Sequence, residues 1–385
     1  MSCKIYMDHA ATTEMLPQVR DKMEPYLMGE FANASTAYDM GARSRKAIEQ
    51  ARADIAGVID ALPEEIYFTS GGSESDNWAI KNIAGAKKKE GRHIITSKIE
   101  HHAVLRSCQY LEQLGYEVTY LDVDDYGLIR PEDLSRHIRE DTTLITIMAA
   151  NNEIGTMEPI GEIGAIARKK GIVFHTDAVQ VVGQVPLSVS RLPVDLLSAS
   201  AHKFHGPKGV GFLYVKSDQD LPSFIHGGSQ ERGKRAGTEN VAGIVGMAEA
   251  LKLAAAEMRM GRTRLIRLRN YFCERVMHEI RGVRLNGHPY RRLPGNVNFS
   301  IEGVEATALL VLLEEQGVCA SAGSACNTGE TRLSHVITAI RVPERFAAGS
   351  VRFTMGRETT RDDVDATIRA LRESVALLRG GSNPV

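Results

Sequence analysis

Four short segments of this 385-residue chain carry side chains whose types and spacing could do chemistry. The first is Ser70-Gly-Gly-Ser-Glu-Ser75, which follows the strand-like Ile66-Tyr-Phe-Thr69 and precedes a helical pattern beginning near Asp76. Glycines let backbone N–H groups approach an anion, and a helix start adds partial positive charge, so this turn suits a phosphate. It equally describes an ordinary serine-capped turn. The second, Gly171-Ile-Val-Phe-His-Thr-Asp177-Ala-Val-Gln180, sets Asp177 at the end of an apolar run, where it could cap a helix or hold a protonated ring nitrogen. In the third, residues 194–211, Lys203 follows a strand and precedes a glycine-rich turn, wrapped in small residues beside His202 and His205. A surface lysine needs no such packaging, whereas a Schiff-base lysine must be partly desolvated and positioned. The fourth is Cys319-Ala-Ser-Ala-Gly-Ser-Ala-Cys326-Asn-Thr-Gly329. Small residues that cannot build a core surround Cys326 and would leave its sulfur accessible, as a nucleophile requires.

Phosphate turn, strand-end aspartate and packaged lysine, in that chain order, describe a pyridoxal phosphate site in which the aspartate keeps the ring nitrogen protonated. The other cysteines, Cys3, Cys108, Cys273 and Cys319, read as structural filler. An odd count with no Cys-x-x-Cys pair argues against a disulfide framework and against a structural zinc site, so no metal is expected. Lys plus Arg number 47 against 48 for Asp plus Glu, a net charge of −1 with no global pull toward nucleic acid or anionic lipid. The longest apolar stretch near a helical segment, residues 308–313, is far short of the roughly 20 residues a membrane span needs. The amino terminus has neither the basic-then-apolar pattern nor the cleavage site of a signal peptide, and reads as a cytoplasmic start.

The elements that must position these residues show in the patterning. Strand-like runs at 65–69, 93–96, 117–122, 144–148, 172–174, 195–197 and 211–215 alternate with helical segments such as 103–114 and 160–170. This predicts an α/β fold with a mostly parallel central sheet flanked by helices, binding its ligand at the carboxyl ends of the strands. A long helical stretch over about 240–280 could join this lobe to a smaller α+β lobe with strands at 296–301 and 351–355 and helices at 307–315 and 362–378. The expected division is a large domain over 15–255 and a small domain of 1–14 plus 256–385 that carries the Cys326 loop.

Seven motifs, in order along nearly the whole chain, carry a resemblance: Met7-Asp-His-Ala-Ala-Thr-Thr13, Phe68-Thr-Ser-Gly-Gly-Ser-Glu-Ser75, Asn151-Asn-Glu-Ile-Gly155, His175-Thr-Asp-Ala-Val-Gln180, Ser200-Ala-His-Lys203, Arg235-Ala-Gly-Thr238 and Ser321-Ala-Gly-Ser-Ala-Cys326. Together they resemble the group I cysteine desulfurases, the NifS/IscS-like branch of the class V aminotransferase-like, fold-type I pyridoxal phosphate enzymes. The resemblance implies that Lys203 forms the Schiff base with pyridoxal 5'-phosphate. Gly72, Ser73, Ser200 and His202 would hold the phosphate, joined by Thr238 of the neighbouring subunit of a homodimer. Asp177 would pair with the ring nitrogen and Gln180 with the phenolic oxygen, with Asn152 near that edge and the substrate. His101 would stack on the ring and carry protons, with His102 the adjacent alternative. Arg352 would grip the substrate carboxylate, a task suited to a planar guanidinium, with Arg357 the runner-up and Asn33 also near the substrate.

The implied reaction takes sulfur from L-cysteine, giving L-alanine and a persulfide on Cys326. The persulfide would pass to a sulfur-acceptor protein such as an iron–sulfur scaffold or a tRNA-thiolation protein, and Cys326 would ligate a cluster only jointly with a partner. No direct nucleic-acid or membrane partner is expected. Selenocysteine lyase or another class V enzyme is the alternative, and a non-catalytic sulfur-relay subunit a further one. Two departures fall near the substrate: the family usually reads Asn-Pro-Ser-Ser followed by a His, where this chain has Asn33-Ala-Ser-Thr36 and Tyr38, and His9 stands where Asn is common.

Overall fold

Short runs rich in β-branched residues build the central sheet because each, except the edge strand at 117–121, is buried on nearly every position, the condition under which strands read as continuous apolar runs. In the computed structural model, which describes residues 5–322 and 333–380, the strands in chain order are β1 (Ile5–Tyr6), β2 (Ile66–Thr69), β3 (His93–Ser97), β4 (Glu117–Leu121), β5 (Thr142–Thr146), β6 (Val173–Asp177), β7 (Leu196–Ser200), β8 (Gly211–Val215), β9 (Val283–Asn286), β10 (Asn296–Ile301), β11 (Val318–Cys319) and β12 (Ser350–Thr354). The helices are α1 (Pro17–Met28), α2 (Asp39–Ile59), α3 (Gly72–Ala86), α4 (His102–Gln113), α5 (Pro131–His137), α6 (Ile160–Lys170), α7 (Val241–Glu279), α8 (Ala306–Glu315), α9 (His335–Ala339), α10 (Glu344–Ala347) and α11 (Arg361–Leu378).

The seven-stranded sheet runs β2-β8-β7-β6-β5-β3-β4. Only β8 opposes its neighbours, so the mostly parallel sheet expected from the alternating pattern is present. The carboxyl ends of β2, β3, β5, β6 and β7 consequently meet at one edge. Helices cover both faces: Ile55, Phe174, Phe212 and Leu251 belong to one core, while Trp78, Val104, Leu144 and Leu213 belong to the other.

A second sheet, β12-β10-β9, is antiparallel and packs on α8, α11 and the far end of α7. Its core centres on Phe272, Phe299 and Phe353, with Phe272 edge-on to the other two rings at 5.6 and 5.3 Å. The 39-residue α7 serves both lobes, contributing Ile244 to Leu251 to the first core and Phe272 and Val276 to the second. Residues from the chain start also join the small lobe. β1 lies parallel to β11, and Asp8 bridges to Thr354 beyond the end of that pairing. Among the described residues no helix is long and apolar enough to cross a membrane.

One buried ion pair fixes the loop that follows β8. Arg52 on α2 bonds Glu231 at 2.8 Å, and Glu231 also accepts from the backbone N–H of Phe68 on β2. Both side chains are about 4 % exposed, and without Glu231 the buried Arg52 keeps only the exposed Glu49 carboxylate at 3.3 Å and the Ile66 carbonyl, so the loss is expected toward the lower end of the roughly 3–5 kcal/mol of a broken buried pair. Glu231→Ala is expected to lower the urea midpoint of unfolding accordingly; a midpoint unchanged from the parent would show that this pair does not hold the loop.

Candidate active site

Five strand ends deliver the sequence-selected residues to one edge of the sheet. β2 runs into Gly71, whose φ of +147° is a conformation reserved for glycine, and then into Gly72 at the start of α3. A Cβ on Gly72 would stand 2.6 Å from Val179 Cγ2, so the turn is compressed against the segment after β6 and keeps its backbone bare. Ser73 follows, exposed, while Ser200 at the end of β7 lies behind the turn, its own Cβ 3.8 Å from where a Cβ on Gly72 would be. β3 leads to His101, which caps α4 by accepting the Ala103 N–H on Nδ1 at 3.2 Å. β6 ends on Asp177, buried, with Oδ1 accepting from Val179 N–H at 2.9 Å. His101 and Asp177 share a cluster with Asp76 of α3, ligand atoms of all three lying within 4.8 Å of one another.

Burial governs the charges here. It pushes the Asp177 carboxyl up, against the opposing pull of His101, the Val179 N–H and Lys203. Burial, and then the Asp177 charge beside it, push the Asp76 carboxyl well above the usual carboxylate range as well. Glu100, next to His101, is raised to about 8 by burial, although Ser97 Oγ and the Met148 N–H bond its carboxyl. Lys203 is lowered to about 8 by burial, aided by Arg352 and opposed by Asp177 and Asp8. His202 falls to about 4, again chiefly through burial and then through Lys203 and Lys208, and so is a neutral donor.

These residues fit pyridoxal phosphate, the cofactor implied by the sequence. A bare glycine turn at a helix start would take the phosphate. A buried carboxylate would face the ring nitrogen, and an amine of depressed basicity would reach the aldehyde. His202 Nδ1 bonds Thr12 Oγ1 at 3.1 Å, which leaves Nε2 for a ligand.

Sequence reasoning gave no role to the segment that holds the set together. Lys203 Nζ donates to the carbonyls of Ala10 and Ala11, the latter at 2.8 Å, and Gln180 Nε2 also donates to Ala10 O at 3.1 Å. Thr354 Oγ1 accepts from Ala10 N–H at 2.8 Å, and Thr13 ties to the carbonyl of His202 and to the N–H of His205. Asp8 Oδ1 takes Arg352 Nη2 at 2.6 Å, while Arg352 Nη1 donates to Asn152 O at 3.1 Å. The motif at residues 7–13 was the available signal, since its polar residues have no helical or strand period to explain them.

Arg352 and Asn152 are therefore together, and Arg352 stands beside the charged group of Lys203. Arg357 instead pairs with Glu257 at 2.8 Å on the wall of a separate cavity of about 350 Å³ that borders Lys203 and Gln180. Asn33 is exposed and uses its side-chain oxygen on its own turn, accepting from Ser35 N–H at 2.8 Å. Thr238 is exposed in a loop tied to the phosphate turn of its own chain through Arg235 and Glu74, 2.8 Å apart. His102 lies against His335, ring centres 4.9 Å apart. Cys326 lies outside the described residues, within 323–332; beyond that segment on either side, Ser321 pairs antiparallel with Arg352, and Ser334 Oγ bonds Glu153 Oε2 at 2.5 Å.

The family model for aminotransferase class-V matches residues 5–367. Cysteine desulfurase IscS of Dictyoglomus turgidum is 52 % identical over 379 residues, covering 98 % of this chain and 96 % of that one. Among solved structures, a NifS-like protein superposes with a TM-score of 0.92 at 36 % identity, covering 97 % of this chain and 100 % of its own. SspA in complex with cysteine gives a TM-score of 0.80 at 37 % identity, covering 91 % and 98 %.

The Lys203 shift has a sign that can be measured. The folded amine loses its proton near pH 8 and the unfolded one near 10.5, so between these values the unfolded chain binds more protons. In protein stripped of cofactor, stability is expected to rise with pH across that window, and Lys203→Met should abolish the rise. Urea midpoints taken from pH 7 to 11 check this, and parallel profiles for the two proteins would contradict it.

Proposed function

Because the chain belongs to the class-V aminotransferase family of pyridoxal phosphate enzymes, we propose that it is a cysteine desulfurase that takes the sulfur of L-cysteine onto Cys326. One observation carries the reading. Arg352, a buried guanidinium next to Lys203, is backbone-paired with Ser321, five residues ahead of Cys326, so carboxylate anchor, amine and thiol segment belong to one network.

Bound as a Schiff base through Lys203, pyridoxal phosphate supplies an electron sink beside the substrate's Cα. Gly72, Ser73, Ser200 and His202 would hold its phosphate, with Thr238 contributed across a homodimer. Asp177 would keep the ring nitrogen protonated, Gln180 would pair with the phenolic oxygen, and His101 would stack on the ring. Arg352 and Asn152 orient the substrate carboxylate, with Asn33 at the outer side. Once the substrate amine has displaced it, Lys203 Nζ, its basicity lowered to about 8 chiefly by burial, moves the Cα proton. His101 accepts the proton of the substrate thiol. The Cys326 thiolate then attacks the substrate sulfur, forming the S–S bond as the Cβ–S bond breaks. The electron pair stays with the carbon fragment, which gains the former thiol proton, so cysteine and a thiolate give L-alanine and a persulfide anion.

The persulfide serves a sulfur-acceptor protein, an iron–sulfur scaffold or a tRNA-thiolation protein. A homodimer would bring the exposed Thr238 of one subunit to the phosphate turn of the other. The lobes divide within α7 near residue 255. Cys108, Cys273 and Cys319 are free, in keeping with a reducing cytoplasmic setting.

Cys326→Ser is expected to retain the visible chromophore yet form no alanine from L-cysteine; full turnover would overturn the thiol assignment. Arg352→Lys should raise KM for L-cysteine roughly 10- to 100-fold, the effect of losing one charge-assisted hydrogen bond. An unchanged KM would move the carboxylate site elsewhere. Turnover of selenocysteine measured beside cysteine separates this activity from that of a lyase.

A further inference from the structure

The chain on either side of residues 323–332 is linked to the same residue, Arg352, directly upstream and through Glu153 and Asn152 downstream. Upstream, Arg352 N–H donates to Ser321 O at 2.6 Å, and Ser321 N–H returns to Arg352 O at 3.2 Å. Downstream, Ser334 caps α9: its Oγ accepts the N–H of Val336 at 3.0 Å, so its one proton goes to Glu153 Oε2, 2.5 Å away. Glu153 is itself immobile. Its N–H and that of Ile154 bond Asn151 Oδ1 at 2.9 Å, Asn151 Nδ2 bonds Ile99 O at 2.8 Å, and Asn296 and Asn298 donate to Glu153 O. The preceding residue, Asn152, offers its carbonyl to Arg352 Nη1. Ser334 is therefore joined to Arg352 through Glu153 and Asn152 alone. Next to it, His335 Nε2 meets Glu100 O at 3.0 Å, which ties the same corner to the strand end that carries His101.

A carboxylate buried to within 3 % of its surface is expensive to keep for helix capping alone, which Ser334 performs without it. We propose that Glu153 is a positioning residue for sulfur transfer: its hydrogen bond to Ser334 holds the chain eight residues past Cys326 against the group that grips the substrate carboxylate. The described residues on the two sides of the Cys326 segment, Ser321 and Ser334, and the group that grips the substrate carboxylate are then referred to one point. Loosening that point leaves substrate binding intact and reduces the fraction of encounters in which the two sulfurs are aligned.

The inference rests on Cys326 as the attacking thiol, and the experiment separates the two. Ser334→Ala, Ser334→Thr, Glu153→Gln and the double variant Glu153→Gln/Ser334→Ala are compared in holoenzyme with the parent and with Cys326→Ser. Three quantities are read: KM, the cofactor absorbance change on adding L-cysteine, and the single-turnover rate of alanine formation. Ser334→Ala is expected to slow alanine formation about tenfold, with KM within about twofold and the absorbance change retained. Ser334→Thr, which keeps the hydroxyl, should recover the parent rate. The double variant should be no slower than the slower single one, because both remove one interaction. A parent-like rate in Ser334→Ala alongside an inactive Cys326→Ser overturns the positioning role only. Activity in Cys326→Ser overturns the thiol assignment beneath it. Loss of the absorbance change in Ser334→Ala, or failure of the Thr variant to recover, overturns the proposal in favour of a purely structural bond.

Discussion

The carbonyl oxygens of Ala10 and Ala11 accept hydrogen bonds from Lys203, and the same short stretch hands Asp8 to Arg352 and Thr12 and Thr13 to His202. Lys203, Gln180, His202 and Arg352 are thereby indexed to residues 8–13, which bridge to Thr354 of the small lobe and pack on the strand-end edge of the large one. Neither sheet alone could set the distance between Lys203 and Arg352. A strip of backbone touching both does so, and it uses carbonyl groups that carry no side-chain identity.

The second constraint is electrostatic. Asp76, Glu100, Glu153 and Asp177 are all buried, and burial raises every one of them. Four full negative charges in such a volume would be untenable, so protons are retained on some of them. The cations are equally constrained: burial first, and then Arg352, depress Lys203, while Asp177 and Asp8 support it. An amine close to neutrality is the outcome of these opposed contributions, and this basicity suits proton transfer at ordinary pH.

Much of this was legible in the sequence. The parallel sheet followed from the alternation of short β-rich runs with helical segments, and Gly71-Gly72, Asp177 and Lys203 stood out because each follows a strand run directly. Illegible were the contacts made by backbone. Nothing in Ala10-Ala11 marks those carbonyls as acceptors for a lysine nearly 200 positions away, and the Glu153–Ser334 bond joins two residues common on any surface. The sequence runs also placed β5 two residues late, at 144–148 rather than Thr142–Thr146, because the apolar stretch continues past the last ladder pairing. Propensity marks what can be a strand, and pairing partners decide where it stops.

The pairing of β1 with β11 has a consequence in time. Ile5 and Tyr6 emerge from the ribosome early, yet Val318 and Cys319 follow more than 300 residues later, a delay of roughly 15–60 s at ordinary synthesis rates. Through that interval the large lobe can be complete while the strip beside Lys203 is anchored at one end only. A nascent chain in that state has its reactive amine formed before its enclosure is complete.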